Sequence, residues 1–220
     1  MTAIAALFDM DGVLVDSAPL HVRAYERVFG EAGLEFPEAA RVAVRTGKSR
    51  WQVIEIGAPH ASPTVKQRLF DAKPEAVAEA LRDAGDVSRP GTTRTIQALA
   101  ESGIPIGVVT NSAAPYVWLE AAGVLDKVEV VVTSNDVSSP KPSPEGYLLA
   151  AQRLGVEPER CIAFEDSHDG WLSATRAGMR VVVISTTRPD WVDADAEVVE
   201  SLDASIALKQ RLRPAVGDDA

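Results

Sequence analysis

At 220 residues, 46% hydrophobic and 25% charged, the chain has the length and balance of a globular protein with one large core, or one core plus a small insert. Its formal net charge of −10 excludes a broad nucleic-acid or anionic-membrane surface, because the field of the whole molecule would repel phosphates; an anionic ligand needs a local basic pocket. Cys161 is the sole cysteine, so no intrachain disulfide can form, and with no basic leader before Asp9 and no apolar run of membrane length the expectation is a cytoplasmic protein, monomeric or weakly dimeric.

The apolar run Ile4 to Phe8 is too short for an independent helix and predicts a buried strand ending on Asp9. In extended chain Asp9 and Asp11 face the same side, and Gly12 lets the backbone turn away. Two carboxylates so close repel each other; unless one is protonated a cation has to relieve them, and oxygen ligands alone make Mg²⁺ the natural candidate. Asp16-Ser17-Ala18-Pro19 then predicts a helix start, and Leu20, Ala24, Val28 and Ala32 keep helical spacing up to Gly33. Further helical patches run from Ala39 to Val44 and from Thr64 to Ala84, where Pro74 is expected to kink or split the helix and leave Lys73 at an irregular point. No strand is predicted between Ser17 and Arg89.

From Pro90-Gly91 onward strands alternate with helices, the pattern of a parallel sheet with helical crossovers and five or more strands. The predicted strands are Ile104 to Thr110, Val128 to Thr133, Cys161 to Phe164 and Val181 to Ser185. Helices are predicted at Pro115 to Ala122, Pro144 to Leu154 and Trp171 to Ala177, each followed by a glycine suited to a helix C-terminus. The tail after Pro214 is expected to fray. The fold class is therefore α/β: a Rossmann-like doubly wound parallel sheet formed by residues 1–16 and 90–220, with an all-helical cap domain, 17–89, inserted after the first strand. Val15 to Pro19 and Asp86 to Gly91 would be its hinges.

Ligands bind outside the carboxyl ends of the strands in such a sheet, so the residues just after each strand should converge. These are Asp9 and Asp11, then Thr110-Asn111-Ser112, then the loop carrying Lys141, then Glu165-Asp166. Neutral donors and one lysine suit phosphate oxygens, and carboxylates suit a divalent cation.

Phe8-Asp9-Met10-Asp11-Gly12-Val13, Val109-Thr110-Asn111, Ser139-Pro140-Lys141-Pro142 and Phe164-Glu165-Asp166-Ser167 together resemble, in order, the four motifs of the haloacid dehalogenase-like superfamily. The likeness covers nearly the whole chain and is to the helical-cap branch that includes β-phosphoglucomutase and the phosphoglycolate and sugar-phosphate phosphatases. It implies that Asp9 attacks phosphorus to form an aspartyl-phosphate while Asp11 protonates the leaving oxygen and later deprotonates water. It also implies Mg²⁺ bound by Asp9, Asp166 and the Asp11 backbone carbonyl, with Thr110, Asn111 and Lys141 on the transferring group. Glu165 would ligate the metal or support its surroundings. In the cap, His21, Arg50 and, by approximate order, Lys73 would contact substrate.

The implied activity is Mg²⁺-dependent hydrolysis of a small phosphorylated metabolite of the sugar-phosphate kind. The alternatives are a β-phosphoglucomutase-type mutase and a non-enzymatic phospho-accepting or binding domain. Asp11 and Asp166 count against a dehalogenase proper, Asp11 against a phosphonoacetaldehyde hydrolase, and the helical insert against a bare receiver. Thr110-Asn111 resembles the phosphatase members more than the mutase, so hydrolysis is favoured.

Overall fold

The computed structural model describes residues 5–205; Ile4 and the tail beyond Pro214 lie outside the described residues. Two compact units divide the chain: residues up to Asp16 together with those from Val87 on, and Ser17–Asp86.

The first unit is built on a six-stranded, wholly parallel sheet among the described residues, ordered β3-β2-β1-β4-β5-β6. Its strands are β1 (Ala5–Phe8), β2 (Ile106–Val109), β3 (Val130–Val132), β4 (Cys161–Glu165), β5 (Arg180–Ile184) and β6 (Glu197–Val199). β1, β2 and β4 are buried along their whole length, as central strands covered on both faces must be, which is why they appear in the sequence as continuous apolar runs. β6, absent from the sequence-based expectation, is a three-residue edge strand, too short to leave a pattern. β1 lies between β2 and β4, with Phe8 opposite Val108 on one side and Phe164 on the other. The Phe8 and Phe164 rings stack at 4.5 Å, locking the register at the ends of both strands. The strand order reverses direction between β1 and β4, and Asp9 and Glu165 stand at the carboxyl ends of those two strands, the position where ligands bind in sheets of this architecture.

The second unit contains α1 (Ala18–Glu31), α2 (Glu38–Arg45), α3 (Arg50–Gly57) and α4 (Pro63–Arg82), and no strand. The first unit carries α5 (Thr92–Glu101), α6 (Tyr116–Ala121), α7 (Glu145–Leu154), α8 (His168–Arg176) and α9 (Leu202–Ser205). Among the described residues no helix is long and apolar enough to cross a membrane.

Helices α3 and α5 were not anticipated. Helix α3 is rich in β-branched and aromatic residues but is started by a capping box between Ser49 and Gln52. The buried face of α5 is half threonine, a weak helix former; the Thr92 and Thr95 hydroxyls donate to the Leu14 and Leu202 carbonyls, so the polar pattern hides a packed face. The units divide at Asp86 rather than Arg89 because residues 87–89 pair back onto 14–16. Asp16 N–H donates to Val87 O at 2.9 Å, Arg89 N–H donates to Leu14 O at 2.9 Å, and Val15 bridges Ser88. The two expected hinges are thus laced together at their sheet ends.

Pro74 neither splits α4 nor leaves Lys73 irregular: the helix runs unbroken for 20 residues and Lys73 is buried on it. A proline at 74 has no N–H for the carbonyl of Phe70, four residues earlier. That carbonyl accepts instead from Arg50 Nη1 at 3.3 Å, while the guanidinium lies 4.5 Å over the Phe70 ring. The defect in one helix is thus filled by the first residue of another.

Pro74→Ala restores the intrahelical bond and should stabilise the protein by about 1–3 kcal/mol in urea denaturation. Because Phe70 O then has an intrahelical donor and no longer depends on Arg50, Arg50→Ala should cost less stability in the Pro74→Ala background than in the wild type, a coupling read from the double-mutant cycle.

Candidate active site

Each strand of the first unit delivers its polar residue at the same end. Asp9 follows β1, its N–H donating to Phe164 O at 2.9 Å, so its backbone continues the β1–β4 ladder and its side chain stands beside the end of β4. Glu165 is the last residue of β4, and its carboxylate is sealed from solvent. Gly12 turns the chain with a positive φ of 82°, and a Cβ there would collide with the Asp166 carboxylate. The glycine therefore serves both the turn and the space needed by an acid from another strand.

Lys141 joins these groups. Its Nζ donates to Asp9 Oδ1 at 2.6 Å, Glu165 Oε1 at 2.6 Å and Val109 O at 2.8 Å, so all three ammonium protons are used. The side chain is 6% exposed, and a cation so enclosed is tolerable only because two carboxylates surround it. Burial opposes the Lys141 charge, but Asp9 and Glu165 outweigh it and hold the ammonium above its ordinary range.

The loop carrying Lys141 is held at several points. Glu145, in the first turn of α7, accepts from Ser138 N–H at 2.7 Å and Ser139 N–H at 2.9 Å. The Lys141 N–H donates to Asn111 Oδ1 at 3.2 Å, Ser173 Oγ donates to Ser143 O at 2.5 Å, and Arg176 donates to Pro142 O at 3.0 Å. The Lys141–Pro142 peptide is cis. Thr110 is buried and its Oγ1 accepts from Ser112 N–H at 3.0 Å, ordering the turn after β2, while the neighbouring Asn111 is exposed.

Carboxylate oxygens of Asp9, Glu165 and Asp166 come within 4.8 Å of one another. Burial pushes the Asp9 carboxyl well above its ordinary range; Lys141 pulls it back, and Glu165, Asp166 and Asp11 push it further. For Asp166, burial first and then Glu165 raise the pKa to about 7 against the pull of Lys141. One ammonium is too little charge for this many acids, and an all-oxygen set of this kind fits a hard divalent cation. The carboxylates are not used up in helix capping, because Ser167 caps α8, its Oγ accepting from Gly170 N–H at 3.1 Å.

Within the helical unit, His21, Arg50 and Lys73 are also brought together. Lys73 Nζ lies 2.7 Å from His21 Nδ1 and 4.9 Å over the Tyr25 ring. Burial, then the charges of Lys73 and Arg50, push His21 down to about 3. An ammonium can only donate, so the neutral imidazole accepts at Nδ1 and carries its proton on Nε2. Elsewhere in this unit Arg41 pairs with Glu26 and Arg45 with Glu38.

The family model for haloacid dehalogenase-like hydrolases matches residues 5–178. The chain belongs to that family. It is similar to fructose-1-phosphate phosphatase YqaB of Escherichia coli (strain K12), 32% identical over 80% of this chain and 93% of that protein. It is also similar to β-phosphoglucomutase of Mycobacterium tuberculosis, 33% identical over 84% of this chain and 81% of that one. Among solved structures it superimposes on CbbY from Rhodobacter sphaeroides in complex with phosphate, with TM-score 0.75, 27% identity, and coverage of 93% and 96% of the two chains.

Two residues of α7 that support the strand-end cluster carry little mark of that role in the sequence. Tyr147 donates its hydroxyl to Glu165 Oε1 at 2.6 Å from a fully buried position, yet in sequence it is one more core residue on a helix face. A tyrosine on such a face needs a buried acceptor, and that is the signal it offered. Glu145 looked like an ordinary first-turn acid, whereas its carboxylate clamps the lysine loop.

Lys141→Met leaves these acids without their counter-charge and should destabilise the protein by about 3 kcal/mol at pH 7. Protonating the acids relieves the repulsion, so the deficit relative to wild type should shrink toward pH 5, measured by urea denaturation at both pH values.

Proposed function

We propose that this haloacid dehalogenase-like protein is a Mg²⁺-dependent phosphatase acting on small phosphorylated metabolites of the sugar-phosphate class. The observation that carries the reading is the convergence of Asp9, Lys141, Glu165 and Asp166 where the strand order reverses. A named sugar-phosphate phosphatase among the relatives supports the substrate class.

Asp9 is the nucleophile in this reading. Its carboxylate oxygen forms a bond to phosphorus as the ester P–O bond breaks, and Asp11 gives its proton to the departing oxygen. Asp11 then takes a proton from the water that attacks the aspartyl-phosphate, regenerating the Asp9 carboxylate and releasing phosphate. Thr110 and Asn111 hold the transferring group by hydrogen bonds, and Lys141, its protons already engaged, contributes its positive charge. Asp9, Asp166 and the Asp11 carbonyl would hold Mg²⁺, with Glu165 supporting them from its buried position. When bound, the ion supplies Lewis-acid neutralisation of phosphoryl charge. The His21, Arg50 and Lys73 cluster of the helical unit offers cationic and hydrogen-bonding groups suited to a polar phosphorylated metabolite.

A mutase is the second reading, favoured by the mycobacterial β-phosphoglucomutase likeness and by the cap cluster. It uses the same aspartyl-phosphate but delivers it to a sugar hydroxyl rather than water. A panel of phosphorylated metabolites with Mg²⁺, assayed for free phosphate and isomerised product, separates the two. On β-glucose 1-phosphate with catalytic glucose 1,6-bisphosphate, accumulation of glucose 6-phosphate much faster than phosphate would overturn the phosphatase.

Asp9→Asn should abolish phosphate release while circular dichroism stays unchanged, because the amide keeps the shape but cannot attack phosphorus. Asp11→Asn should slow turnover most for substrates with poor leaving groups, by about 10²-fold or more.

Excess chelator should abolish activity and Mg²⁺ restore it, with Ca²⁺ inhibitory because its looser coordination disturbs the attack geometry. Asp166, raised to about 7 in the metal-free protein, must give up a proton to serve the ion below that pH. The thermal stabilisation conferred by Mg²⁺ should therefore grow as pH rises from 5 to 8, which thermal melts with and without the ion will read.

A further inference from the structure

Tyr147 is surrounded by an apolar cluster that includes Leu7, Val109, Val132, Ala150 and Ala163, and its hydroxyl is a polar atom inside it. Phenol and Lys141 ammonium donate to the same acceptor, Glu165 Oε1, each at 2.6 Å, and the ammonium lies 5.2 Å over the Tyr147 ring. The other Glu165 oxygen has a longer bond, from Ser167 Oγ at 3.4 Å. On the side of α8 the carboxylate is seated against Gly170, where any Cβ would fall inside it. Glu165 is thus fixed from two directions by groups that carry no charge.

We propose that Tyr147 is a positioning residue of the phosphoryl-transfer site, acting through Glu165 on Lys141 and Asp9. The physical reason is a division of one cation between two acids. Glu165 is fully buried, and a desolvated carboxylate draws strongly on whatever donor it has. Lys141 must also reach Asp9 Oδ1 and Val109 O. A short bond from a neutral phenol satisfies part of the Glu165 demand without adding charge, so the ammonium stays centred between both carboxylates. Without that hydroxyl Glu165 Oε1 leans on Lys141 alone, the ammonium shifts toward it, and Asp9 loses the geometry that it shares with Asp166. A tyrosine that had merely found the nearest acceptor would change stability and nothing else.

This inference rests on the Mg²⁺-dependent phosphatase reading. Its test is Tyr147→Phe, which keeps the ring in an environment suited to phenyl. Mg²⁺ binding to substrate-free protein is measured by calorimetry for wild type, Tyr147→Phe, Glu165→Gln and the double variant, and phosphate release is followed alongside. Tyr147→Phe should stay folded by circular dichroism and bind Mg²⁺ about tenfold more weakly. The double variant should bind no more weakly than Glu165→Gln, because the hydroxyl acts through that carboxylate. A Tyr147→Phe affinity within twofold of wild type, or independent losses in the double variant, would overturn the inference while wild-type turnover and Mg²⁺ binding leave the phosphatase standing. A wild type that neither binds Mg²⁺ nor releases phosphate overturns both.

Discussion

The ammonium of Lys141, enclosed between Asp9 and Glu165, is the interaction on which the catalytic unit depends. A lysine removed from water to this degree survives only beside carboxylates, and carboxylates crowded to this degree survive only beside a cation. Each makes the other possible, yet the balance is incomplete, since Asp11 and Asp166 add further acid to the same neighbourhood. The residual negative charge at the end of the sheet, with Asp9, Glu165 and Asp166 oxygens gathered within 4.8 Å of one another, has the chemistry that suits a hard divalent cation. In a protein of net charge −10 the Lys141 ammonium is a local, fixed positive charge set against the field of the whole molecule.

Fixing it takes most of the surrounding architecture. Strand pairing sets Asp9 beside the end of β4, and the Phe8–Phe164 stack holds that register. Lys141 comes from a loop with no regular structure, so its precision is borrowed from Glu145, Asn111, Ser173 and Arg176. Gly12 and Gly170 contribute by what they lack, leaving room for Asp166 and Glu165 where any larger residue would displace a carboxylate. Such supports act on geometry, and small displacements are costly to phosphoryl transfer because it depends chiefly on positioning and electrostatics.

The helical unit follows a different electrostatic logic. His21 sits with two cations and stays neutral, the reverse of the acid-rich cluster on the sheet. Lys73 is buried by its place on an unbroken helix, with Tyr25 beneath it and the imidazole as hydrogen-bond partner. Arg50 is anchored through the carbonyl that Pro74 leaves unpaired. A helix-breaking residue thus provides an attachment point between helices while the helix itself persists.

Sequence alone determined the parallel sheet, the all-helical insert and the identity of the strand-end residues, because buried strands leave continuous apolar runs and turn residues leave glycines and acids at their ends. It also carried the family likeness in four separated motifs. It did not determine the path of α4 at Pro74, the existence of α5 behind its threonines, or the division at Asp86, since each turns on a partner distant in the chain. The same holds for the site. Asp9, Lys141, Glu165 and Asp166 were legible as residue types, but only the tertiary structure decided that Lys141 bridges Asp9 and Glu165, that Glu165 is sealed from solvent, and that Tyr147 shares its oxygen. Periodicity records which face a residue presents to the core; it contains nothing about which atom from another element will be waiting there.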